Sequence, residues 1–525
     1  MQAIGYFDKG AEAHADRIAL IDGESRFTYR ELKSFTHQIA KAMWASGSRV
    51  RDEERVAIYS INDARVLWCM LGLMRAGGVW VPVNYRNALH ANTAYLEYAE
   101  AKWLFYHSRF QDEVREIKRR VGTLRHFVCI DGEDGENPSL EKFMKRGEGT
   151  GEIDWGDAQG NLDRLAGLVP TGGTTGPAKG VMVTSLAWGS MTEMASHYWS
   201  GSGDFEPVCL STAPLSHAAG VVAFAMSTLG ATNVVMPGFD ALAVLRNIEK
   251  HRVTHLFLPP TGFYALLGHP EARKFDYSSL RVFLLAGSPV APEKMREGVE
   301  IFGPCICQSY GQTEAPMLMT FLDSRTVAAA ARGDHPERLR SCGKATSAVR
   351  LAVMDDEGNL LGAGQPGEIV ARGSLVTAGY YKLPEATAEI RAHGWHHTGD
   401  VGYRDEDGYF YIVDRKKDMI ITGGFNVYCA EVEAGVMQLS DVRDCAVIGV
   451  PDEKWGEAVK AIVVPRAGTR LSEEEIIAHC KACLGGVKAP KSVEFVEEIP
   501  KTPAGKVDKK LLRRPYWAGR ERSVH

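Results

Sequence analysis

LAGLVPTGGTTGPAKGVMVTS, residues 165–185, carries the clearest indication of fold and chemistry in this chain. Its central segment, residues 171–180, holds four glycines, three threonines and one lysine. Glycine lets successive backbone N–H groups turn around an anion, threonine hydroxyls add hydrogen-bond donors, and lysine adds a mobile positive charge. The apolar residues 165–169 are typical of a strand that leads into this loop. We therefore predict a polyphosphate site here, and a plain glycine-rich turn between two strands is the alternative.

The loop does not have the spacing of a P-loop NTPase. In that motif, GxxxxGK[ST], the lysine directly follows the last glycine and a hydroxyl residue comes next. Here Pro177 and Ala178 separate Gly176 from Lys179, and Gly180 follows the lysine. We therefore expect the loop to hold phosphates with a different architecture.

Length and composition limit the class of protein. The 525 residues allow roughly three structural units at about 150 residues per domain. With 45% hydrophobic residues, 24% charged residues and a net charge of −5, the chain is typical of globular proteins and gives no electrostatic reason to expect nucleic acid as a partner. We expect no secretory signal and no transmembrane segment. The ten scattered cysteines favour reduced thiols in a cytoplasmic protein over a disulfide framework or a zinc site.

The order of apolar runs predicts an α/β fold. Short β-type runs alternate with helical patterns, and this alternation is typical of βαβ units around a largely parallel sheet. The predicted strands are residues 17–22, 27–28, 55–59, 79–83, 103–106, 126–130, 165–169, 207–213, 252–258 and 282–286. Strand-rich residues 349–370 then predict a smaller β-rich subdomain, and an α+β pattern follows the charged residues 415–418.

This organisation predicts two domains. We expect an N-terminal domain at residues 1–414, with parallel and mixed sheets, covering helices and a β-rich subdomain at about 340–414. Residues 415–418 are expected to form a solvated hinge. Residues 419–525 are expected to form a small, mobile α+β domain that acts as a lid.

Loops at the ends of predicted strands supply candidate site residues. In open α/β sheets, ligands bind beyond the carboxyl ends of the strands. His217 lies where a strand gives way to a helix and is followed by the small residues 218–220. A histidine satisfied within the core is the alternative for this position. Gly287 and Ser288 follow another apolar strand and are candidates for the same reason.

Further short motifs follow in order along the chain. QSYGQTE, residues 308–314, comes after a short apolar run, and its last five residues, YGQTE, by themselves predict a turn that carries one acidic residue. The others are TGD at 398–400, DRKKD at 414–418, GGFN at 423–426 and PKTPAGK at 500–506. With the glycine-rich loop, they resemble the signatures of the adenylate-forming superfamily, which includes acyl-CoA synthetases, the adenylation domains of peptide synthetases and luciferases. The resemblance covers residues 10–515.

The chain departs from the family pattern at a few positions. Ser185 stands where histidine is common, Ser216 where many relatives carry an aromatic residue, and Cys429 where proline is frequent. Asp508 and Lys509 stand in a tail where arginine is frequent. The change at Ser216 leaves the shape of the substrate pocket open, whereas the others lie outside the implied chemistry.

The resemblance implies ATP, Mg²⁺ and CoA as cofactors and gives each motif a role. Lys506 bridges the carboxylate and the α-phosphate oxygens, Glu314 holds magnesium, and His217 lies beside the bound carboxylate. Tyr310 stacks on adenine, and Asp400 accepts hydrogen bonds from the ribose hydroxyls. The residues implied for ATP or AMP are Thr171, Gly172, Gly173, Thr174, Thr175, Gly176, Lys179, Gly287, Ser288, Gln308, Tyr310, Gly311, Thr313, Asp400 and Arg415.

The remaining implied residues concern CoA, the hinge and the acid. Gly423 and Gly424 allow close approach of the pantetheine arm of CoA. Lys417 takes the hinge position, about which the C-terminal domain rotates between two half-reactions. The acyl pocket is formed by His217, Ala218, Gly220 and Phe263, with Ala219 and Tyr264 nearby.

The resemblance implies an ATP-dependent acyl-CoA ligase. A carboxylate attacks the α-phosphorus of ATP to give acyl-AMP and pyrophosphate, and the CoA thiol then displaces AMP. The apolar pocket residues, with no arginine clearly placed for a second carboxylate, favour a fatty or aryl monocarboxylate. Acyl transfer to a carrier-protein phosphopantetheine, acyl-AMP formation alone and a luciferase-like oxidase are alternatives, and a homodimer is left open. A nucleotide-binding regulator without catalysis is disfavoured, because Lys506 and Glu314 are both present.

Overall fold

The computed structural model describes residues 1–171, 178–201, 205–501 and 507–518. The described chain forms two compact units. Unit 1 comprises the described residues up to 351 together with 371–396, and unit 2 comprises 352–370 with the described residues from 397 onward. The predicted division at residues 415–418 concerns movement of one part of the chain against another, and it remains a prediction.

Strands occur in both units, and each strand predicted from the sequence is present within a few residues of its predicted ends. Numbered in chain order, the strands are β1 (Ile18–Asp22), β2 (Ser25–Thr28), β3 (Arg55–Tyr59), β4 (Val79–Val83), β5 (Trp103–Tyr106), β6 (His126–Cys129), β7 (Leu165–Pro170), β8 (Gly180–Thr184), β9 (Val208–Ser211), β10 (Thr232–Val235), β11 (His255–Leu258), β12 (Val282–Leu285), β13 (Ile306–Gln312), β14 (Ala315–Leu322), β15 (Gly343–Ala345), β16 (Val349–Met354), β17 (Gly367–Gly373), β18 (His396–Arg404), β19 (Tyr409–Arg415), β20 (Ile420–Thr422), β21 (Phe425–Val427), β22 (Val442–Asp452), β23 (Gly456–Pro465) and β24 (Ser492–Phe495).

Helices connect most of these strands. They are α1 (Ala3–Ala13), α2 (Tyr29–Ala45), α3 (Ala64–Arg75), α4 (Leu89–Tyr98), α5 (Gln111–Arg120), α6 (Leu140–Lys145), α7 (Ser185–Tyr198), α8 (Ala218–Ser227), α9 (Ala241–Lys250), α10 (Pro260–Leu267), α11 (Pro292–Phe302), α12 (Ser324–Ala331), α13 (Pro384–Glu389), α14 (Cys429–Val436), α15 (Glu473–Leu484) and α16 (Lys509–Arg513). Capping boxes satisfy the first backbone N–H groups of α2, through Thr28 and Glu31, and of α15, through Ser472 and Glu475. In the part of the chain that the structure describes, no helix combines the length and apolar character needed to cross a bilayer.

Unit 1 contains two largely parallel sheets. The first has the strand order β6-β5-β3-β4-β7-β8, and only its β7–β8 pair is antiparallel. In the second, the strands β1, β10, β9, β11, β12 and β13 pair in parallel in that order, and β2, β14 and β15 extend it by antiparallel pairing. Strands β4, β5, β11 and β12 are buried along their whole length, as expected for sheets covered by helices on both faces. The predicted α/β class is therefore confirmed.

Unit 2 contains a β-rich part and a C-terminal α+β part. In the first, β16, β17, β18 and β19 follow one another in the sheet. The C-terminal sheet has the order β21-β20-β23-β22, with β24 pairing in parallel with β23. Apolar side chains of α14 and α15 pack on this sheet in one core that includes Ile420, Val432, Val447, Val459 and Ile476.

Residues 310–314 differ in part from the predicted turn. Strand β13 continues through Tyr310 and pairs antiparallel with β14, with Tyr310 opposite Thr320. Only Thr313 and Glu314 lie in the turn between the two strands. The reason is that β14 offers backbone partners to this polar stretch, and such pairing depends on context more than on local composition.

Helix α8 packs tightly against the turn from which it starts. A Cβ atom built on Gly220 would lie 1.9 Å from the backbone oxygen of Leu215, closer than real atoms approach. The N–H of Gly220 also donates to the backbone oxygen of His217 over 3.0 Å. A residue without a side chain is therefore required at the start of α8, and this requirement fixes the position of His217.

Replacing Gly220 with alanine is expected to destabilise the protein, because the new methyl group must displace the Leu215 carbonyl. Overpacking of this kind costs about 1–3 kcal/mol, and thermal unfolding followed by circular dichroism measures it. Gly238→Ala is the matched control, since a Cβ at that position meets no atom within 4 Å. An unchanged melting temperature for Gly220→Ala would contradict this packing argument.

Candidate active site

Loops from several strands of unit 1 meet at one edge of its second sheet. His217 follows β9, Gly287 and Ser288 follow β12, and Tyr310 lies near the end of β13. Because these strands are parallel, their carboxyl ends lie at the same edge, where open α/β sheets bind ligands. Gly287 and Ser288 are exposed there. The structure thus brings together predicted residues that are far apart in the sequence.

Gln308 and Gly311 flank Tyr310 on β13. The side-chain oxygen of Gln308 and the hydroxyl of Ser309 are buried, and neither has a hydrogen-bond partner among the described residues. Buried polar atoms are normally paired. These two oxygens could therefore accept hydrogen bonds from a ligand bound at this edge. A Cβ on Gly311 would lie 2.6 Å from the backbone nitrogen of Met317, so the hairpin requires glycine at this position.

His217 is a neutral side chain at pH 7. Desolvation by the surrounding protein, with a smaller contribution from the positive charge of Arg86, lowers the pKa of the imidazole to about 4. His217 is nevertheless exposed to solvent, and its ring Nδ1 lies 3.1 Å from the Ser216 hydroxyl. A neutral imidazole can donate one hydrogen bond and accept another. Arg86 was not predicted, because nothing in its local sequence distinguishes it.

The other predicted acyl-pocket residues occupy two kinds of position. Ala218 and Gly220 lie on the first turn of α8, directly after His217. Phe263, on α10, is fully buried, and its ring centroid is 5.4 Å from that of Phe283 and 6.3 Å from that of Phe302. Core packing is sufficient to explain Phe263, and its role as a pocket wall remains a prediction.

Phe239 is a further candidate for the pocket wall that the sequence did not reveal. It follows β10, at the same edge of the sheet, and it is one of the exposed large hydrophobic residues of the protein. A Cβ on Gly262, on α10, would lie 3.3 Å from the Phe239 ring. An exposed aromatic ring beside a glycine at this edge suits the apolar part of a substrate.

Glu314 is held by a tyrosine that the sequence analysis did not single out. The Tyr380 hydroxyl donates to Glu314 Oε1 over 2.6 Å, and the Thr377 hydroxyl donates to the backbone oxygen of Glu314 over 3.0 Å. Burial and the negative charge of Glu314 raise the pKa of Tyr380, which therefore keeps its proton. Lys179 Nζ lies 4.8 Å from the centroid of the same ring, within cation–π range. One side chain thus connects the predicted magnesium ligand with the lysine of the glycine-rich loop.

The segment that carries Tyr380 is fixed on both sides. Val181 of β8 forms an antiparallel bridge with Tyr380. Immediately after it, the Glu100 carboxylate accepts hydrogen bonds from the Tyr381 hydroxyl and from Lys382 Nζ, each over 2.7 Å. The position of the Tyr380 ring is therefore set by contacts with parts of unit 1 that are distant in the sequence.

The described base of the glycine-rich loop is closed by two hydrogen bonds. The N–H of Thr171 donates to the backbone oxygen of Lys179 over 2.9 Å, and the N–H of Lys179 donates to the Thr171 hydroxyl over 3.2 Å. The predicted roles of the residues between them remain predictions. Predicted site residues that lie outside the described residues are Gly172, Gly173, Thr174, Thr175, Gly176 and Lys506.

Asp400 and Arg415 form a cross-strand pair in unit 2. They face each other on β18 and β19, and Arg415 Nε lies 2.7 Å from Asp400 Oδ1. The side chain of Asp400 is 4% exposed, whereas that of Arg415 is 47% exposed. Charge-assisted pairs of this kind are strong and directional. Asp400 is therefore a carboxylate with a fixed orientation, as a ribose-binding residue requires.

Residues 416–418 of the predicted hinge form a short 3₁₀ turn after β19, and the role of residues 415–418 as a solvated hinge remains a prediction. Lys416 Nζ lies 3.2 Å from Glu368, and Arg513 Nη2 lies 2.8 Å from Asp418. These partners come from other parts of unit 2, which the local run of charges cannot reveal. Lys417, the predicted hinge residue, is exposed.

Gly423 and Gly424 form the two-residue turn between β20 and β21. Their φ angles are +57° and +81°, and this type of hairpin turn requires positive φ at both positions. A Cβ on Gly423 would lie 2.6 Å from the Trp455 ring, whereas a Cβ on Gly424 would meet no atom within 4 Å. The turn by itself explains both glycines. The approach of a pantetheine arm to Gly424 remains a prediction, and the open space beside it is compatible with that role.

The described residues fit a magnesium site in which the protein supplies few ligands and the nucleotide supplies the others. Among them, no group of three or more His, Cys, Asp or Glu side chains is arranged to hold a metal ion. Mg²⁺ is commonly bound by one or two carboxylates while substrate phosphates supply further ligands. Glu314, a single carboxylate that Tyr380 orients, matches this kind of site.

These features define an α/β protein that gathers polar side chains at the carboxyl edge of parallel strands and carries a C-terminal α+β part. Residues 7–381 match the family model described as AMP-binding enzyme. Residues 431–506 match the model described as AMP-binding enzyme C-terminal domain.

Individual proteins with known names agree with this match. The chain is 43% identical to the medium/long-chain-fatty-acid–CoA ligase FadD8 of Mycobacterium tuberculosis, over 69% of this chain and 63% of that protein. It is 36% identical to a feruloyl-CoA synthase of an Amycolatopsis species, over 95% of this chain and 96% of that protein. The solved structure of ATP-bound MatB from Rhodopseudomonas palustris superposes with a TM-score of 0.86 at 29% identity, covering 98% of this chain and 99% of that chain.

The chain therefore belongs to the AMP-binding enzyme family, within the adenylate-forming superfamily. The predicted reaction class is confirmed: the protein is an AMP-forming acid–thiol ligase, which uses ATP to convert a carboxylic acid into an acyl-AMP and then transfers the acyl group to CoA. ATP, a carboxylic acid and CoA are its substrates. Magnesium and the roles of the individual residues are proposals.

Replacing Tyr380 with phenylalanine is expected to raise the Mg²⁺ concentration needed for adenylation, because Glu314 loses the hydroxyl that orients it. A hydrogen bond to a charged group is worth about 1.5–3 kcal/mol, which corresponds to roughly a 10- to 100-fold change. ATP–pyrophosphate exchange measured over a Mg²⁺ titration detects this shift. Tyr381→Phe is the control, because the Tyr381 hydroxyl binds Glu100 instead. Superimposable Mg²⁺ curves for the two variants would remove Tyr380 from the site.

Replacing Asp400 with alanine is expected to raise the KM for ATP, because the ribose hydroxyls lose their acceptors. Each lost charged hydrogen bond contributes about 1.5–3 kcal/mol, so the KM should rise at least about tenfold. ATP–pyrophosphate exchange at varied ATP gives the value. Glu406→Ala, an exposed acidic residue in the turn between β18 and β19, is the control. If Asp400→Ala leaves the KM for ATP unchanged, Asp400 serves only to pair with Arg415 across β18 and β19.

Proposed function

We propose that this enzyme activates a fatty or aryl monocarboxylic acid. The observation that carries the proposal is the composition of the carboxyl edge of unit 1, where neutral His217 and the exposed ring of Phe239 lie among small residues. An exposed aromatic ring and small residues suit an acid whose far end is apolar. Relatives named for medium- and long-chain fatty acids and for ferulate support the same class of substrate.

Adenylation joins two anions, so the residues in this proposal stabilise charge and align the reactants. Neutral His217 orients the acid carboxylate by hydrogen bonding. Lys179 and Lys506 bring positive charge to the phosphates and to the attacking carboxylate. Tyr310 and Asp400 hold the nucleoside. Mg²⁺, when bound with ATP, lowers the repulsion by neutralising phosphate charge, and Glu314 oriented by Tyr380 is its protein ligand.

Thioester formation uses different residues in this proposal. Gly424 leaves room for the pantetheine arm, and the C-terminal part rotates about Lys417 between the half-reactions. Lys506 then serves adenylation alone. A homodimer is a separate hypothesis, and light scattering of the purified protein tests it.

The substrate proposal is tested by ATP–pyrophosphate exchange with a panel of acids, followed by an assay of CoA consumption. The panel contains fatty acids of graded chain length, cinnamic acids and short dicarboxylic acids. Monocarboxylates with an apolar body should support the fastest exchange. A dicarboxylate as the preferred substrate would overturn the proposal and would direct attention to Arg86, whose positive charge lies near His217.

Two single variants should separate the half-reactions. Lys506→Ala should fail to form acyl-AMP but should still convert supplied acyl-AMP and CoA into thioester, because losing a preorganised charge typically costs ~10²–10³ in rate. Gly424→Asn should do the reverse and accumulate acyl-AMP. Asparagine is chosen because it tolerates the positive φ of this turn while adding a side chain. Equal loss of both half-reactions in both folded variants would contradict the proposed division of roles.

A further inference from the structure

The described residues on the two sides of 502–506 pair with each other. Lys501 and Val507 form an antiparallel bridge, and the N–H of Asp508 donates to the backbone oxygen of Pro500 over 2.8 Å. Val507 packs against a small core that contains Ile499. Helix α16 starts directly afterwards at Lys509, three residues beyond Lys506 in the sequence. The position of α16 therefore sets the position of Val507 and Asp508, the first described residues after Lys506.

Two ion pairs fasten α16 at its two ends. Lys509 Nζ lies 2.8 Å from Glu433 Oε1 on α14, with 15% and 23% of the side chains exposed. Arg513 Nη2 lies 2.8 Å from Asp418 Oδ1, with 13% of each side chain exposed. Arg513 Nη1 and Asp418 Oδ1 are both buried without a hydrogen-bond partner in the described part of the chain, so attraction between the two charges holds this pair together.

Asp418 is the last residue of the 3₁₀ turn at the predicted hinge, and the turn is also held by Cys429. The Cys429 thiol donates to the backbone oxygen of Asp418 over 3.0 Å, and the Cys429 N–H donates to the Asp414 carboxylate. The proline that many relatives carry at this position has no N–H to donate. The residues on both sides of the predicted hinge are therefore tied to α14, and through Arg513 to α16.

Ion pairs whose side chains are mostly shielded from solvent add little to stability by themselves. The cost of removing both charges from water often equals the attraction between them, and apolar residues of similar size can replace such pairs without loss of stability. What a buried charged pair can provide is register, because each charge must lie beside its partner. The two pairs at the ends of α16 are thus better explained by positioning than by stabilisation.

We propose that Arg513 and Lys509 are positioning residues for adenylation: by pairing with Asp418 and Glu433, they hold α16, and with it the adjoining residues Val507 and Asp508, at a fixed distance from the turn at Lys416–Asp418. The inference rests on the proposed role of Lys506 in adenylation. Since a misplacement of about 1 Å can cost on the order of 100-fold in rate, a loosened α16 should impair the half-reaction that uses Lys506. It should leave the other half-reaction intact.

The test compares half-reactions in the full-length enzyme. Arg513→Met combined with Asp418→Asn removes both charges of one pair without leaving an unpaired charge. We expect ATP–pyrophosphate exchange to fall by about 10- to 100-fold, with conversion of supplied acyl-AMP and CoA to thioester unchanged. Arg514→Met, an exposed arginine next to Arg513, is the matched control and should behave as wild type. A charge-reversed pair, Arg513→Asp with Asp418→Arg, should recover part of the exchange rate.

The outcomes separate the inference from the proposed function. If Lys506→Ala keeps normal exchange, the proposed role of Lys506 fails and the inference fails with it. If Lys506→Ala abolishes exchange while the Arg513/Asp418 double variant keeps it, only the inference is overturned. Equal loss of both half-reactions in the double variant, with a lowered melting temperature, would mean that the pair serves the stability of unit 2 and would also overturn the inference.

Discussion

Parallel pairing of β9, β11, β12 and β13 determines where the ligand edge of unit 1 lies. Parallel neighbours need a crossover connection, so the segments that carry His217, Ser288 and Tyr310 are separated by long stretches of chain and yet emerge at one edge. Burial of β11 and β12 along their whole length holds these strands together. The polar side chains that follow these strands lie at the carboxyl edge, where a ligand can contact them.

Desolvation controls charge at this edge in two opposite ways. Desolvation disfavours the charged form of any group. It therefore lowers the pKa of His217, which stays neutral, and raises the pKa of Tyr380, which stays protonated. Both groups can then donate hydrogen bonds beside an anion, and Tyr380 already donates to Glu314. For a reaction that joins two anions, neutral donors and the nearby charge of Lys179 suit the requirement for charge stabilisation.

The sequence predicted some elements well and others poorly, for identifiable reasons. Strands β4 and β5 have the predicted ends, because continuous apolar runs bounded by polar residues distinguish buried strands. The polar residues of β13 have no such pattern, and their strand exists because β14 pairs with it. The run of charges at 415–418 did not reveal that Glu368 pairs with Lys416 and that Arg513 pairs with Asp418, both from other parts of unit 2. Local composition cannot indicate partners of this kind.

The sequence by itself determined the class of fold and the chemical groups available: a glycine-rich loop with Lys179, the acidic residue Glu314 and the lysine-bearing motif that ends at Lys506. Residue type and short spacing are enough for that information. Only the tertiary structure decided how distant groups pair: Tyr380 with Glu314, Arg415 with Asp400, and Arg513 with Asp418. The physical reason is that hydrogen bonds and ion pairs depend on distance, direction and burial, and these are set by strand pairing and helix packing between segments far apart in the chain.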